Sequence, residues 1–463
     1  MASLRDHESD LADALRRLEP RTPYAEAMAQ AAHGARLRFD KAATAPEASP
    51  RIQGAVFRAW DGTSWVETVA RDLGRTGLNE AADTLGAKLH GRTVRPPPGA
   101  AATGTGERTT AERIHLDDVT FEDLKEHAKR FFGYATSVKG IENALVNLSK
   151  VTDERIFLSS AGARRYQCVA RAHVAVVPLA IQGGKVEYDY VTLGETGGAE
   201  VWEKLPAGSV EHAAREAVAL LSATSAPTGK MTVLLDPSTS GTFAHESFGH
   251  GTESDQLLRD RSYLKPLLGQ VVAPECLTLV DDGSYDSGWG TIYFDDEGHP
   301  SQRNVLVDHG RFTQVLHDRE SAAAMHSHAT GNTRRADFLS RPFVRMTNTF
   351  VEPGDRTFDE LVREAKDGVL LETCTSGIED PLGGNMQIKV KKGHRIVRGE
   401  VGEILPSMAL SGRVLEFLRA IRGVSGRSDF AMSPGFCGKG HTDLLPAGTG
   451  GSYLLSEAVV GPA

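Results

Sequence analysis

The run MTVLLDPSTSGTFAHESFGH, residues 231–250, constrains this chain more than any other stretch. It places two histidines and a glutamate on one short segment at a spacing that a regular helix cannot use. Met231 to Leu235 is rich in β-formers and reads as a strand, the Ser/Thr/Gly stretch after it as a turn, and His245, Glu246 and His250 as lying on a helix. The histidines stand at i and i+5, whereas a helical pair sharing one face stands at i and i+4. Five residues of ideal α-helix leave two side chains about 140° apart around the axis. The two rings would diverge unless the backbone widens locally into a π-type turn, which brings i and i+5 together. Gly249 and Gly251 favour that distortion.

Paired imidazoles bind divalent metals through neutral nitrogens, and an adjacent carboxylate can take a proton from water. On the residues alone, HExxxH is a short pattern, and two surface histidines near a glutamate are the competing reading. Far downstream, SPGFCGKGH sets Cys437 among glycines, where backbone can bend closely around a metal or a substrate. Its thiolate would complete a His2Cys set with a fourth position open to water, as catalytic zinc requires. The alternative is a small buried core residue, and spacing does not separate the two.

A chain of 463 residues exceeds the usual span of one hydrophobic core, so two domains are expected. The formal net charge of −9 opposes binding to a phosphate backbone, and no basic stripe with interleaved aromatics offsets it. Nucleic acid is therefore not an expected partner. No stretch approaches the roughly 18 apolar residues that cross a bilayer. Leu4, Leu11, Leu15 and Leu18, set among charges, read as an amphipathic helix and not as a secretory core, so the expected location is the cytoplasm, without a membrane. Cys168, Cys276, Cys374 and Cys437 are too few and scattered for a disulfide framework.

Asp61-Gly62 predicts a tight turn between strands Ala55 to Trp60 and Thr63 to Glu67. Pro96 to Thr110 lacks an apolar period and reads as an exposed, flexible connector. Thr120 with Asp123 predicts a capped helix reaching about Phe132, and Ile141, Leu145 and Leu148 continue a helical spacing. Arg165 to Leu193, broken at Gly183-Gly184, predicts two long antiparallel strands, with a helix from Glu211 to Leu221 after them. The small-residue stretch Ser222 to Gly229 is the expected boundary between an N-terminal α+β domain, 1–224, and a catalytic domain, 230–463. Met408 to Ile421, with Leu410, Val414, Leu415 and Leu418, reads as a core-facing helix.

Asn332, Arg334, Arg335 and Arg345 are candidate substrate-binding residues, because an arginine fork matches a peptide carboxylate; structural loops are the alternative. Asp295-Asp296-Glu297-Gly298 lacks the spaced oxygens of an EF-hand and reads as a turn. Glu253 and Asp255 are placed either to orient an imidazole through its second nitrogen or to stay solvated.

HESFGHGTESD from His245, PGFCGK around Cys437, TGNTRR from Thr330 and RMTN from Arg345 occur in this order, and the chain from about Met231 onward resembles the TldD/PmbA family, in its HExxxH-bearing TldD branch. The resemblance implies a two-domain α+β fold, an N-terminal α/β domain joined to a C-terminal domain built largely on antiparallel sheet. It implies zinc, one ion per chain, held by His245, His250 and Cys437, with Glu246 activating water. It also implies hydrolysis of flexible peptides or peptide-like biosynthetic intermediates within a closed dimer, either a homodimer or a heterodimer with a PmbA/TldE-like paralogue. Gly440-His441 departs from the family pattern after Lys439, so His441 is a candidate for substrate contact, for supporting a metal ligand or merely for facing water, and for a fourth ligand if the zinc is structural. The rival readings are a catalytically silent partner subunit and a regulatory protein with a closed zinc site.

Overall fold

The structure, a computed structural model, describes residues 3–89, 96–439 and 442–463. Its N-terminal layer begins with α1 (Glu8–Arg16), whose Leu11, Ala14 and Leu15 bury one face. The strands are β1 (Ala25–Phe39), β2 (Thr44–Trp60), β3 (Trp65–Ala70), β4 (Thr105–Thr109), β5 (Ile141–Ser159), β6 (Arg164–Gln182), β7 (Lys185–Tyr188) and β8 (Val191–Thr196). They form one sheet in the order β3-β2-β1-β5-β6-β4, with β7 and β8 also paired to β6. Helices α2 (Arg75–Lys88), α3 (Phe121–Thr136) and α4 (Ala207–Leu220) complete this half.

Local chemistry explains several of these elements. Asp61 Oδ1 accepts the amides of Thr63 and Ser64, and Gly62 takes a φ of +105°, so the turn before β3 forms as expected. Thr120 and Asp123 make the reciprocal capping box of α3, which runs one turn past Phe132. Both residues of Gly183-Gly184 have positive φ where β6 returns, but the returning strand is split into β7 and β8.

Three expectations are corrected. Ile141, Leu145 and Leu148 lie on strand β5 and not on a helix, because long ladders to β1 and β6 bury Ala144, Val146 and Leu148 with a period of two. Part of the stretch read as a flexible connector is β4, a parallel edge strand on β6, and Gly99 lies so close to the Arg319 carbonyl that no Cβ would fit. The third correction is in the second half of the chain: Met408 to Ile421 is a strand followed by a short helix.

That half contains β9 (Gly229–Leu235), α5 (Pro237–Phe243), α6 (Ser254–Leu258), β10 (Leu279–Asp282), β11 (Arg303–Asp308), β12 (Arg311–Phe312), α7 (Arg319–Ala324), β13 (Thr333–Arg334), β14 (Phe343–Val344) and β15 (Asn348–Val351). It continues with α8 (Phe358–Ala365), β16 (Gly368–Asp380), β17 (Asn385–Val397), β18 (Glu400–Leu405), β19 (Met408–Arg413), α9 (Val414–Arg419), β20 (Gly423–Val424), β21 (Ala431–Lys439), β22 (Thr442–Gly451) and β23 (Leu454–Pro462). Strands β16, β9, β23, β19 and β17 pair in a closed cycle, because β16 also pairs with β17. Met408 and Leu410 face the core from β19 at strand spacing, and Val414, Phe417 and Leu418 do so from α9, which explains how the segment mimics one helix.

A second sheet runs β12-β11-β10-β15-β22-β21, and its core is shared with the cycle of strands. Charged pairs stitch the halves together. Arg155 binds Asp296 at 2.6 Å, Arg58 binds Glu297 at 2.9 Å, and Lys392 binds Asp189 at 2.6 Å. Asp295 accepts the amides of Glu297 and His299, so residues 295–298 form the expected turn, with Gly298 at φ +80°.

Candidate metal centre

Strand β9 delivers the chain to α5, where Pro237 opens the helix and Asp236 caps it by accepting the Thr239 amide at 2.8 Å. Gly241 lets α5 approach the β22 backbone at Gly450. From Ala244 to Gly249 the helix widens to π geometry, then tightens to a 3-10 turn over His250–Thr252. The widening required by the i, i+5 spacing is therefore present. Its glycines serve close packing: a methyl on Gly249 would overlap the Met346 sulfur, and one on Gly251 would meet Leu264 Cδ1 at 2.7 Å.

The widened turn brings the His245 and His250 rings to a centroid separation of 5.2 Å, nearly perpendicular at 81°. Cys437 arrives from β21, 187 residues away in sequence, with its Sγ 3.3 Å from His250 Nε2. One donor atom from each of His245, His250 and Cys437 lies within 4.8 Å of the others. Buried His245 Nδ1 has no hydrogen-bond partner among the described residues. Two nitrogens and a soft sulfur in this cluster fit a zinc ion. Burial opposes ionisation of the Cys437 thiol, but the two imidazoles overcome it and hold the thiol down at about 4.

Glu246 Oε2 lies 3.9 Å from His250 Nε2. Burial raises its carboxyl, against the pull of the two imidazoles. On its other side Gly377 of β16 leaves no room for a Cβ, which would run into Glu246 Cγ. Glu253 is fully buried and approaches His250 Nδ1 at 3.4 Å; it is held in place by Lys439 Nζ at 2.9 Å. Burial works against its ionisation, yet Lys439 and His250 bring it down to about 2. Glu253 is therefore the carboxylate that orients an imidazole, whereas Asp255 pairs with Lys439 at 2.6 Å.

His245 and Glu246 face a groove of about 480 Å³ between the two halves, walled by Tyr190 and Thr192 on one side and by residues 373–377 and 433–436 on the other. Cys374 also lines it, but burial pushes its thiol up to about 12, so no second thiolate is available there. Two residues near the centre were not singled out as site candidates in the sequence, although Lys439 closes the PGFCGK motif. Lys439 is recognisable only once β21 is placed beside α6, and Glu379 on β16 keeps both carboxyl oxygens buried without a partner among the described residues.

The four loop candidates separate. Asn332 is fully buried, donating to Asp281 Oδ2 and the Arg345 carbonyl and accepting from Asn304. Arg345 donates to the Cys437 carbonyl, so it supports the centre from behind. Arg335 pairs with Glu67 at 2.6 Å. None of these three lines the groove beside Glu246; Arg334 lies at a separate cavity, and His441 lies outside the described residues.

Comparison with known proteins places the chain in a family. Residues 228–460 match the PmbA/TldA metallopeptidase C-terminal domain. A metalloprotease of Methanocaldococcus jannaschii is 34% identical over 348 residues, covering 75% of this chain and 76% of that protein. A zinc metalloprotease TldD homolog of Saccharolobus solfataricus is 30% identical over 227 residues, 49% of this chain and 50% of that protein. TldE from Thermococcus kodakarensis has the same fold, with a TM-score of 0.76 at 17% identity over 98% of this chain and 100% of that one. The chain belongs to the TldD/PmbA family of metallopeptidases. Among the described residues no helix is long and apolar enough to cross a membrane.

Proposed function

We propose that the chain is a zinc-dependent peptidase that hydrolyses amide bonds in short or unfolded peptides or peptide-like intermediates, with residues 1–224 and 230–463 as its two domains. The observation that carries this reading is the π-widened turn, which gathers His245, His250 and Cys437 within 4.8 Å beside Glu246 at the edge of a groove. His245, His250 and Cys437 hold the metal. Bound zinc supplies polarisation of the scissile carbonyl and acidification of water. Glu246 takes a proton from the attacking water and returns it to the leaving amine. Glu253 fixes the His250 ring through Nδ1, leaving Nε2 directed at the thiol. The groove between the halves favours an extended backbone over a folded domain. We assign the active species to the cytoplasm as a dimer, either of identical chains or with a PmbA/TldE-like paralogue.

Purified protein is expected to carry about one zinc per chain, and Cys437→Ser to lose most of it. Glu246→Gln is expected to keep zinc while activity on an unfolded peptide falls by about 10²–10⁴-fold. Wild-type turnover in a fully metal-loaded Glu246→Gln protein would remove the proposed mechanism.

A further inference from the structure

A second cavity, of about 400 Å³, opens between the N-terminal sheet and the β21–β22 hairpin. Two of the groups lining it are guanidinium groups with no carboxylate partner among the described residues. Arg171, 5% exposed, donates to the carbonyl oxygens of Trp289 and Thr291 at 2.8 and 2.7 Å. Arg334, also 5% exposed, donates only through Nη1, to the Met346 carbonyl at 2.8 Å. Of the other guanidinium groups around the cavity, two are ion-paired and the third, Arg36, is exposed to solvent. Arg155 is paired with Asp153 and Asp296, Arg335 with Glu67, and Arg36 stands opposite Glu47 across the β1–β2 ladder.

Burying a cation without a counter-charge is costly, and a second cation nearby adds repulsion. Burial, with Arg171, Arg345 and Arg155 around it, pushes the Arg334 guanidinium down to about 9, against the weaker pull of Asp296. The guanidinium remains charged at neutral pH. A planar anion in the cavity would relieve both groups, and a carboxylate matches the guanidinium fork.

The cavity is also connected to the proposed centre. Phe436, next to Cys437, lines both this cavity and the groove beside Glu246. Met346, whose carbonyl accepts from Arg334, packs its sulfur against Gly249 of the π-turn. We propose that this cavity is a carboxylate pocket, which seats an acidic group of the bound peptide, a C-terminal α-carboxylate or an Asp/Glu side chain, through Arg334 and Arg171. The proposal rests on the peptidase reading for its ligand but not for its test.

The test is calorimetric titration of chelator-treated full-length protein with three peptides of one flexible, otherwise uncharged sequence. One has a free C-terminus, one is amidated, and one is amidated but carries a single internal Glu. The acid-bearing peptides are expected to bind at least about tenfold more tightly than the neutral one. A preference for the first assigns the α-carboxylate, and a preference for the third the side chain. Arg334→Met should abolish the preference while leaving the melting temperature equal or higher, since it removes an uncompensated charge. If that variant does not fold, Arg334→Lys, which keeps the charge and loses the fork, should reduce the preference. Equal binding of all three peptides, or binding of none, overturns the pocket. Because no turnover is needed, acid-selective binding by a protein that never hydrolyses peptide would refute the peptidase reading alone, and unselective binding by an active enzyme would refute the pocket alone.

Discussion

Arg345 Nη2 donates to the backbone carbonyl of Cys437 at 2.6 Å, from a side chain almost wholly removed from solvent. Its Nε lies 3.6 Å from Glu253 Oε1. One guanidinium thus spans the strand that carries the thiol and the carboxylate that holds His250. Arg345→Met is expected to destabilise the metal-free protein by on the order of 3 kcal/mol, because a buried carboxylate loses one of its cations. Zinc affinity should fall about 10–100-fold. Arg345→Lys should recover part of the stability and little of the affinity, since an ammonium cannot span both partners. Urea unfolding and competition against a chromogenic chelator measure the two effects. Unchanged zinc affinity in the methionine variant would mean that the guanidinium does not position the site.

Gly249 supplies a second handle on the same geometry. A methyl there would overlap the buried Met346 sulfur, and overpacking of this kind typically costs roughly 1–3 kcal/mol. Gly249→Ala should therefore displace the π-turn and weaken zinc binding as well as stability. Adding Met346→Ala should restore much of the zinc affinity although it opens a cavity of its own, so the double-mutant cycle should show favourable coupling. Additive effects on zinc affinity would place the damage elsewhere.

The centre was legible where its constraint is local. Histidines at i and i+5 beside a glutamate demand a widened helix, and Ala244–Gly249 has one. Asp61-Gly62 and the Thr120/Asp123 box are likewise satisfied within a few residues. Where partners come from afar, local spacing failed. Ile141, Leu145 and Leu148 fit a helical period, yet ladders on both sides of β5 decide their fate, and Met408 to Ile421 hides a strand-to-helix junction. The approach of Cys437 to His250 depends on how β21 packs against the helix, which no sequence interval encodes. The arginines of TGNTRR and RMTN were recognisable as special, but only their tertiary partners separate the cavity-lining Arg334 from the supporting Arg345.

The two halves also meet at a titratable clasp. His394 on β17 binds Glu372 of β16 at 2.5 Å through Nδ1, and its Nε2 lies 3.8 Å from Glu216 of α4. Burial alone would lower the imidazole, but the Glu372 and Glu216 carboxylates raise it above its ordinary value. A histidine with a raised folded-state pKa stabilises the fold fully below about pH 6.5, and this contribution fades as pH climbs through the folded value. His394→Gln should therefore cost about 1 kcal/mol at pH 6, after solvent screening at its partly open edge, and little at pH 9. Denaturant unfolding at the two pH values decides this. A penalty independent of pH would show that the ring is neutral in the clasp.

Glu379 should behave in the opposite chemical sense, as an acid that the fold keeps neutral. Burial is the main cause of a carboxyl pushed up to about 9; Glu246 and Glu253 add repulsion, and His250 opposes them. Neither oxygen has a hydrogen-bond partner among the described residues, so the ionised form would have little to stabilise it there. In the unfolded chain the same carboxyl ionises near 4.3. Below that value both states are protonated and no penalty exists. Between it and about pH 9 the unfolded state loses its proton while the folded state keeps it, so wild-type stability declines with each unit of pH. Glu379→Gln, which matches the neutral acid in shape, removes this penalty. In chelator-treated protein the variant should equal the wild type near pH 4 and exceed it by a growing margin, on the order of a few kcal/mol, by pH 8. Urea unfolding across this range is the measurement. A margin that stays flat or shrinks as pH rises would mean that Glu379 is already ionised in the fold, with a counter-charge that stabilises it.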